Sequence, residues 1–373
     1  MAVRGSWWLI AALVLAPASA RAFHDGGVAA CASCHVMHGS QDGQAVPAVG
    51  LTGETLLVGG TASDTCLRCH ADAGQFAGGL GFGPGGDFYW LTRTWTWLVG
   101  GVPVSSRGEA HGHNVVAPAH GLAADGVRTV APGGSFPSAQ LGCTSCHDPH
   151  GRPAFRLLYG AGEGPLVDGA RFLFGAPAPL ARGNGMVTLG GAPAAGDETD
   201  SRHTIYKSGF SEWCGNCHGL YHDEGPQGFS HPSGEQLEAG RANQYNRYVS
   251  AEDPLGGTVA TSYWGLVPFE APAVDLAAAD PAASTSGPAA SDRVSCLSCH
   301  RAHATPFRAA GRWDFDAALI ADSHPATGDA GATASDIARK YYGYTFVPTE
   351  GTLCRKCHRE VPGGGVSPSP STP

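Results

Sequence analysis

One five-residue pattern, two cysteines separated by two residues with a histidine directly after the second, occurs six times in this chain. The copies use all twelve cysteines: Cys31, Cys34, Cys66, Cys69, Cys143, Cys146, Cys214, Cys217, Cys296, Cys299, Cys354 and Cys357. C-x-x-C-H is the attachment motif of c-type haem, in which two thiols bond the porphyrin and the histidine binds the iron. The sequence therefore predicts six covalently bound haem c groups. Their proximal ligands are His35, His70, His147, His218, His300 and His358.

Two other uses of paired cysteines fit this pattern less well. C-x-x-C pairs also form zinc ribbons, and an even number of cysteines in an exported chain can form a disulfide framework. Neither requires a histidine after every second cysteine. With 17 histidines in 373 residues, six such coincidences have a chance probability on the order of 10⁻⁸ if the positions are independent. Haem attachment is therefore the interpretation that we adopt.

The second axial ligand of each iron must come from elsewhere in the chain. Methionine is nearly absent, with three residues including Met1, so we expect bis-histidine haems of low potential. Seven histidines are candidates for the six distal positions: His24, His38, His113, His150, His222, His231 and His303. We expect structural or surface roles for four others: His111, His120, His203 and His324. Which six of the seven candidates are ligands stays open at this point.

Three motifs continue as C-x-x-C-H-x-x-H, which places His38, His150 and His303 three residues after a proximal ligand. Two histidines so close in sequence cannot easily bind opposite faces of one haem. Each second histidine is therefore expected to bind the iron of a different haem and to hold neighbouring haems together. His222, four residues after His218, is a further candidate for this role.

Composition and segment pattern predict an exported, irregular chain. Residues 1–22 have the basic start, short apolar core and small-residue end of a signal peptide. We expect residues 23–361 to form a single hexahaem domain and the Pro/Ser tail, residues 362–373, to be disordered. The six haem motifs predict the fold class of a multihaem cytochrome c. The 55 glycines and 27 prolines predict that it is rich in loops. It should be mostly loop, with a few short helices and a minor β-hairpin wrapped around a continuous haem chain.

Local patterns give four further expectations. Residues 233–250 have a helical pattern with Ser233 as a possible cap, and residues 335–342 are a second candidate helix. The aromatic stretch 88–99 favours a strand or hairpin arm. Residues 271–292, rich in Ala, Pro and Ser, should form a loop. The net charge of −9 argues against nucleic acid as a partner.

Several stretches resemble the OmcS type, the outer-surface hexahaem cytochromes of metal-reducing bacteria that polymerise into conductive filaments. They are FHDGGVAACASCHVMHG, PGGDFYWLTRTWTWLVG, GHN at His113, APGGSFPSAQLGCTSCHDPHG, SEWCGNCH, HP at His231, CLSCHRAHA, and YYG before LCRKCH. The resemblance extends over most of the chain after residue 22. It is specific because several matches lie outside the haem motifs.

The resemblance implies bis-histidine ligation throughout and haems that alternate between parallel and T-shaped stacking. It also implies that His38 binds the fifth haem, on His300, of an adjacent subunit, so that the chain forms a head-to-tail homopolymer. Electrons would arrive from periplasmic or outer-membrane cytochromes and leave to extracellular acceptors such as metal oxides. The location would be the outer cell surface. The alternative is a monomeric periplasmic or outer-surface carrier; an enzyme is not expected, because every motif ends in histidine.

Overall fold

A computed structural model describes residues 31–36, 40–41, 44–45, 57–71, 83–150, 153–184, 198–221 and 232–359. The predicted signal peptide and the Pro/Ser tail lie outside these residues and stay predictions. The described helices are short: α1 Cys31–Cys34, α2 Ala62–His70, α3 Phe210–Cys214, α4 Glu238–Arg247, α5 Cys296–Cys299 and α6 Ala334–Arg339. Single 3₁₀ turns connect much of the rest. Those that bear on the haem motifs are Cys143–Ser145, Phe155–Leu157, Gly219–Tyr221, Arg308–Ala310 and Leu353–Lys356.

The described strands form four separate antiparallel ribbons of two strands each. Their members are β1 Ser40–Gln41, β2 Gln44–Ala45, β3 Trp95–Val99, β4 Val102–Ser106, β5 Leu166–Val167, β6 Ala170–Arg171, β7 Leu180–Arg182 and β8 Ile205–Ser208. Strand β3 pairs with β4, β5 with β6, and β7 with β8. A ribbon of two strands is only marginally stable by itself. These ribbons therefore depend on what packs beside them, and the expected loop-rich architecture with short helices is confirmed.

The hydrophobic core of the described chain is divided into small clusters. The largest buries Tyr245, Leu266, Val267, Phe307, Trp313, Ile320, Tyr341 and Leu353. A second lies between α2 and the loop around residue 115, and a third joins Trp90 to Trp95. Such clusters are too small to organise a chain of this length by themselves, which agrees with a fold built around large apolar cofactors.

Helix α4 begins five residues later than the pattern predicted, and Ser233 does not cap it. Its N-cap is Leu237, which makes no side-chain capping bond. The backbone N–H groups of Gly234, Leu237 and Glu238 are already bonded to the carbonyl oxygens of Val294, Asp292 and Ala290. Because these groups pair across to a distant segment, the chain cannot begin a helix until Glu238.

Helix α6 confirms the second expected helix. It begins one residue earlier and ends three residues earlier than predicted. Thr333 caps it and forms a reciprocal capping box with Asp336, which satisfies two N–H groups of the first turn. The helix ends at Arg339, and Tyr342 then takes a left-handed conformation with φ 55°. The predicted loop 271–292 is confirmed as a series of turns.

The aromatic stretch 88–99 has two parts. Its first part was expected to be extended and is instead a 3₁₀ helix, Phe88–Thr92, because Asp87 accepts the backbone N–H of Tyr89 at 2.8 Å. Its second part is β3, which forms the expected hairpin with β4. No helix among the described residues is long and apolar enough to cross a membrane.

Candidate haem sites

Each described C-x-x-C-H motif is wound into a helical turn. The backbone N–H of the motif histidine donates to the carbonyl of the first cysteine, four residues earlier, in His35, His147, His218, His300 and His358, at 2.9–3.1 Å. Positions i, i+3 and i+4 of such a turn share one face. Both thiols and the imidazole of a motif therefore point to the same side, as attachment to one porphyrin requires.

The thiols show that successive motifs are neighbours in space. A hydrogen bond joins Cys66 to Cys143 and raises the pKa of Cys66. A second such bond joins Cys214 to Cys296 and raises the pKa of Cys214. The second motif therefore touches the third, and the fourth touches the fifth.

The first and second, third and fourth, and fifth and sixth motifs are also neighbours, but in the described part of the chain no hydrogen bond joins their thiols. Burial raises the pKa of Cys34, and the charge of Cys69 adds to it. Burial also raises the pKa of Cys146 to about 12, with Cys217 adding to it. Burial also raises the pKa of Cys299 to about 12, and the charges of Cys354 and Cys357 in the sixth motif raise this pKa further. The six motifs thus form one row in chain order, in which looser and tighter neighbours alternate.

The alternative uses of cysteine find no support in this geometry. All twelve cysteines are free thiols, without disulfide bonds. Among the described residues, no group of three or more His, Cys, Asp or Glu side chains converges as a metal-ion site. The cysteine pairs are therefore available for bonding to a porphyrin.

Three proximal histidines are oriented by the backbone. The Nδ1 atoms of His147, His218 and His300 each lie 2.7 Å from a carbonyl oxygen, those of Arg156, Pro132 and Ala309 respectively. A carbonyl can only accept, so Nδ1 must carry the proton and Nε2 keeps its lone pair free for a metal. A hydrogen bond to the ring nitrogen that does not bind the metal fixes the tautomer and the ring plane of a metal-binding histidine.

Three distal candidates lie opposite proximal histidines. The ring centroids are 6.3 Å apart for His35 and His150, and 6.4 Å for His147 and His303. The third pair, His113 and His218, is separated by 5.8 Å. Two imidazoles on opposite faces of one iron would have centroids about 6.2 Å apart, because each metal–nitrogen bond is about 2.0 Å and each ring adds about 1.1 Å. The spacing of all three pairs therefore fits a bis-histidine haem.

Three of the paired histidines, His113, His147 and His303, are held in the neutral form that binds a metal. Burial lowers the pKa of His113 to about 4 and that of His303 to about 3. Burial also lowers the pKa of His147. The Nδ1 atom of His113 lies 2.7 Å from the carbonyl oxygen of Ala302, which orients this distal candidate as the proximal ones are oriented.

The four histidines that were expected to have other roles make contacts with protein groups. His111 bonds through both ring nitrogens, to Ser106 Oγ and to the carbonyl of Trp90. His203 likewise contacts the carbonyls of Thr204 and Ser284. His324 bonds Asp329 at 2.7 Å, and His120 lies 3.7 Å from Asp64. These contacts are those of structural histidines.

Four distal candidates, His24, His38, His222 and His231, lie outside the described residues. The predictions made for them stay predictions, and so does the assignment of distal ligands to the second, fifth and sixth motifs. Sequence reasoning missed the carbonyl groups that orient the imidazoles, because any residue supplies a backbone carbonyl. The one available signal was the shared spacing of nine residues, from His147 to Arg156 and from His300 to Ala309.

Comparison with known proteins gives one consistent result. No protein-family model matches the chain. The curated C-type cytochrome OmcS of Geobacter sulfurreducens is 34% identical over an alignment of 428 positions, gaps included, that covers 93% of this chain and 96% of that protein. The solved OmcS nanowires of Geobacter sulfurreducens superpose with a TM-score of 0.74 at 33% identity, over 91% of this chain and 100% of theirs. A solved Outer Membrane Cytochrome S filament from the same organism gives 0.73 at 32% identity, with the same coverage.

Proposed function

Because this chain belongs to the OmcS family of c-type cytochromes, we propose that it carries electrons along a row of six covalently attached haems as the subunit of an extracellular filament. Each haem iron supplies a centre that gains and loses one electron. The observation that carries the proposal is the order of the motifs. Ser63, in α2 with the second motif, accepts the backbone N–H of Cys143, and Ser211, in α3 with the start of the fourth motif, accepts that of Cys296. Cysteines of the fifth and sixth motifs pack against one hydrophobic cluster.

The residues of this chain would hold each haem and set its chemistry. The twelve cysteines bind the porphyrins, and the six motif histidines bind the irons from one side. On the other side we assign His150, His303 and His113 to the sites of His35, His147 and His218, because of the ring spacings. Imidazole on both faces leaves no open position for a substrate, which argues against an enzyme at these three sites and favours low potentials.

Closer and wider contacts alternate between successive motifs. This alternation supports two kinds of packing between successive haems. The closeness of the Cys66 and Cys143 sulfurs, and of the Cys214 and Cys296 sulfurs, would bring the attachment edges of two porphyrins together. The looser contacts, such as that between Cys146 and Cys217, bring motifs near one another without joining those edges. This difference agrees with the alternating T-shaped and parallel stacking that the resemblance implies.

A second regularity supports the role proposed for His38. In the third motif His150 pairs with His35 of the first motif, and in the fifth His303 pairs with His147 of the third. Each C-x-x-C-H-x-x-H motif thus reaches two motifs back along the row. The first motif has the same pattern, and two motifs back from it lies the fifth motif of the preceding copy. His38 would therefore bind the iron on His300 of a neighbouring subunit.

A ligand donated across the interface makes the contact between subunits head-to-tail. Such a contact joins two different surfaces and generates an open filament when its rotation does not close a ring. The filament would lie at the outer cell surface. It would receive electrons from periplasmic or outer-membrane cytochromes and pass them to extracellular acceptors such as metal oxides. The acidic chain, with net charge −9, is not suited to binding nucleic acid.

The test is the substitution His38→Ala, with His120→Ala as the control because His120 contacts Asp64 and is no candidate ligand. We expect the His38 variant to keep six haems by mass, to have one high-spin iron by electron paramagnetic resonance, and to form no filaments in electron micrographs. The control should assemble normally. Filaments of ordinary length from His38→Ala would refute the cross-subunit ligand. Discrete particles from the unmodified protein at high concentration would favour the monomeric carrier.

A further inference from the structure

The hairpin of β3 and β4 is an arm whose turn projects away from the rest of the chain. The turn is Gly100–Gly101, both with positive φ, at 58° and 85°. Two such residues form the two-residue turn that matches the twist of paired strands. A Cβ added at either glycine would meet no atom of the described residues within 4 Å.

The base of the arm is rigidly held. The side chain of Trp95 is fully buried, and its ring lies 4.7 Å from that of His111. Thr96 exchanges two backbone hydrogen bonds with Ala330, at 2.9 and 3.0 Å. Trp97 stacks on His324 with the ring centroids 3.6 Å apart. The direction of the arm is therefore set by the body of the protein.

The end of the arm exposes apolar side chains on both of its faces. Leu98 is 68% exposed and Val102 64%, while Val99 is 48% and Val104 36% exposed. No charged residue or histidine occurs from Thr94 to Ser106, between Arg93 and Arg107. Edge strands in soluble proteins are commonly protected by charged side chains, and clustered exposed apolar residues mark interaction sites. We call Leu98, Val99, Val102 and Val104 the arm tip.

We propose that the arm tip packs against a neighbouring copy of this chain in the filament, an inference that rests on the proposed function. The full sequence carries a net charge of −9, so the overall electrostatic interaction between two copies is repulsive. An uncharged apolar arm can cross such an interface without adding to that repulsion. The two solved relatives that this chain matches over their whole length are filaments. A filament subunit needs a surface that its neighbour contacts.

The contact is made by side chains and not by strand addition. Pro103, the second residue of β4, has no N–H to offer to another strand. The outer edge of β3 is already occupied at Thr96, which exchanges two backbone hydrogen bonds with Ala330. The apolar side chains of the arm tip are what remains for a neighbour to cover.

The experiment replaces the two most exposed side chains of the arm tip, as Leu98→Asn with Val102→Asn. The control carries Leu166→Asn with Val259→Asn, because these residues are of the same types and are 58% and 56% exposed elsewhere. We expect both proteins to keep the haem content and absorption spectrum of the unmodified protein. The concentration needed for filaments should rise at least about tenfold in the arm-tip variant and stay nearly unchanged in the control.

The same experiment separates failure of this inference from failure of the proposed function. If the unmodified protein forms no filaments, the proposed function is wrong and the arm-tip proposal is wrong with it. If it does and the arm-tip variant assembles at the same concentration, the arm-tip proposal alone is overturned. A density map of the filament in which the arm tip faces solvent would overturn it too. So would binding to phosphatidylethanolamine–phosphatidylglycerol vesicles that the variant loses while its assembly is unchanged.

Discussion

Two segments of the chain, 143–159 and 296–312, follow the same backbone path around a C-x-x-C-H-x-x-H motif. In both, Nδ1 of the proximal histidine bonds a carbonyl nine residues later at 2.7 Å. In both, two successive residues near that carbonyl are left-handed, Arg156 and Leu157 in the first and Ala309 and Ala310 in the second. The side chains at these positions differ, so the backbone path is set by the motif and not by the side chains that follow it.

The surroundings of the two segments are different. Asp148 follows the first proximal histidine and lies near His150, whose side chain is 61% exposed. At the matching position of the second segment Arg301 is buried, and His303 stacks on Phe88 with a centroid distance of 4.6 Å. The same backbone path around a C-x-x-C-H-x-x-H motif is therefore used both at the surface and in the interior. Only the packing around it then decides how accessible the distal ligand is.

The largest effect is expected when the two distal candidates are compared directly. His303→Ala and His150→Ala should each leave six covalent haems with one iron in the high-spin state, because an axial nitrogen is lost. Added imidazole should restore the low-spin spectrum at a lower concentration in the His150 variant, because that site is open to solvent. Absorption spectra during an imidazole titration measure this. Equal rescue of both variants would mean that packing does not control access.

A smaller effect is expected at the last position shared by the two segments. Arg312 is fully buried and donates to the carbonyls of Leu297, His300 and Gly265. Arg312→Met should lower the free energy of unfolding by about 3 kcal/mol, because three buried carbonyls lose a charged donor.

The matched control for that variant is Tyr159→Met, at the corresponding position of the first segment. It should cost only about 1 kcal/mol, because the variant loses aromatic packing and no charged donor. Guanidinium unfolding followed by circular dichroism compares the two free energies. Similar losses in both variants would argue that Arg312 contributes only by filling space.

The smallest effect concerns the left-handed residues. Ala309→Gly should raise the free energy of unfolding by about 0.5–1 kcal/mol, because glycine adopts φ 54° without the steric cost that alanine pays. Arg156→Gly relieves the same strain at φ 50° and loses the contact of the guanidinium over Phe155, 5.3 Å from the ring centroid. Its net gain should therefore be smaller. Thermal unfolding of both variants gives the comparison, and destabilisation by Ala309→Gly would contradict the strain argument.

Local patterns were reliable where the determining contacts were also local. The capping box of Thr333 and Asp336 lies within four residues, and helix α6 forms where residues 335–342 predicted it. Helix α4 begins late because the N–H groups of Leu237 and Glu238 bond residues more than fifty positions away. No pattern within residues 233–250 contains that information.

The amino-acid sequence alone predicts six haem sites and their proximal ligands, because two thiols and an imidazole fit one porphyrin only when they share a single helical turn. It also determined a loop-rich fold through its glycines and prolines. Three distal candidates lie at axial spacing from a proximal candidate only through the tertiary structure. His35 and His150, or His113 and His218, lie more than a hundred positions apart, and an axial pair is defined by distance in space and not by spacing along the chain.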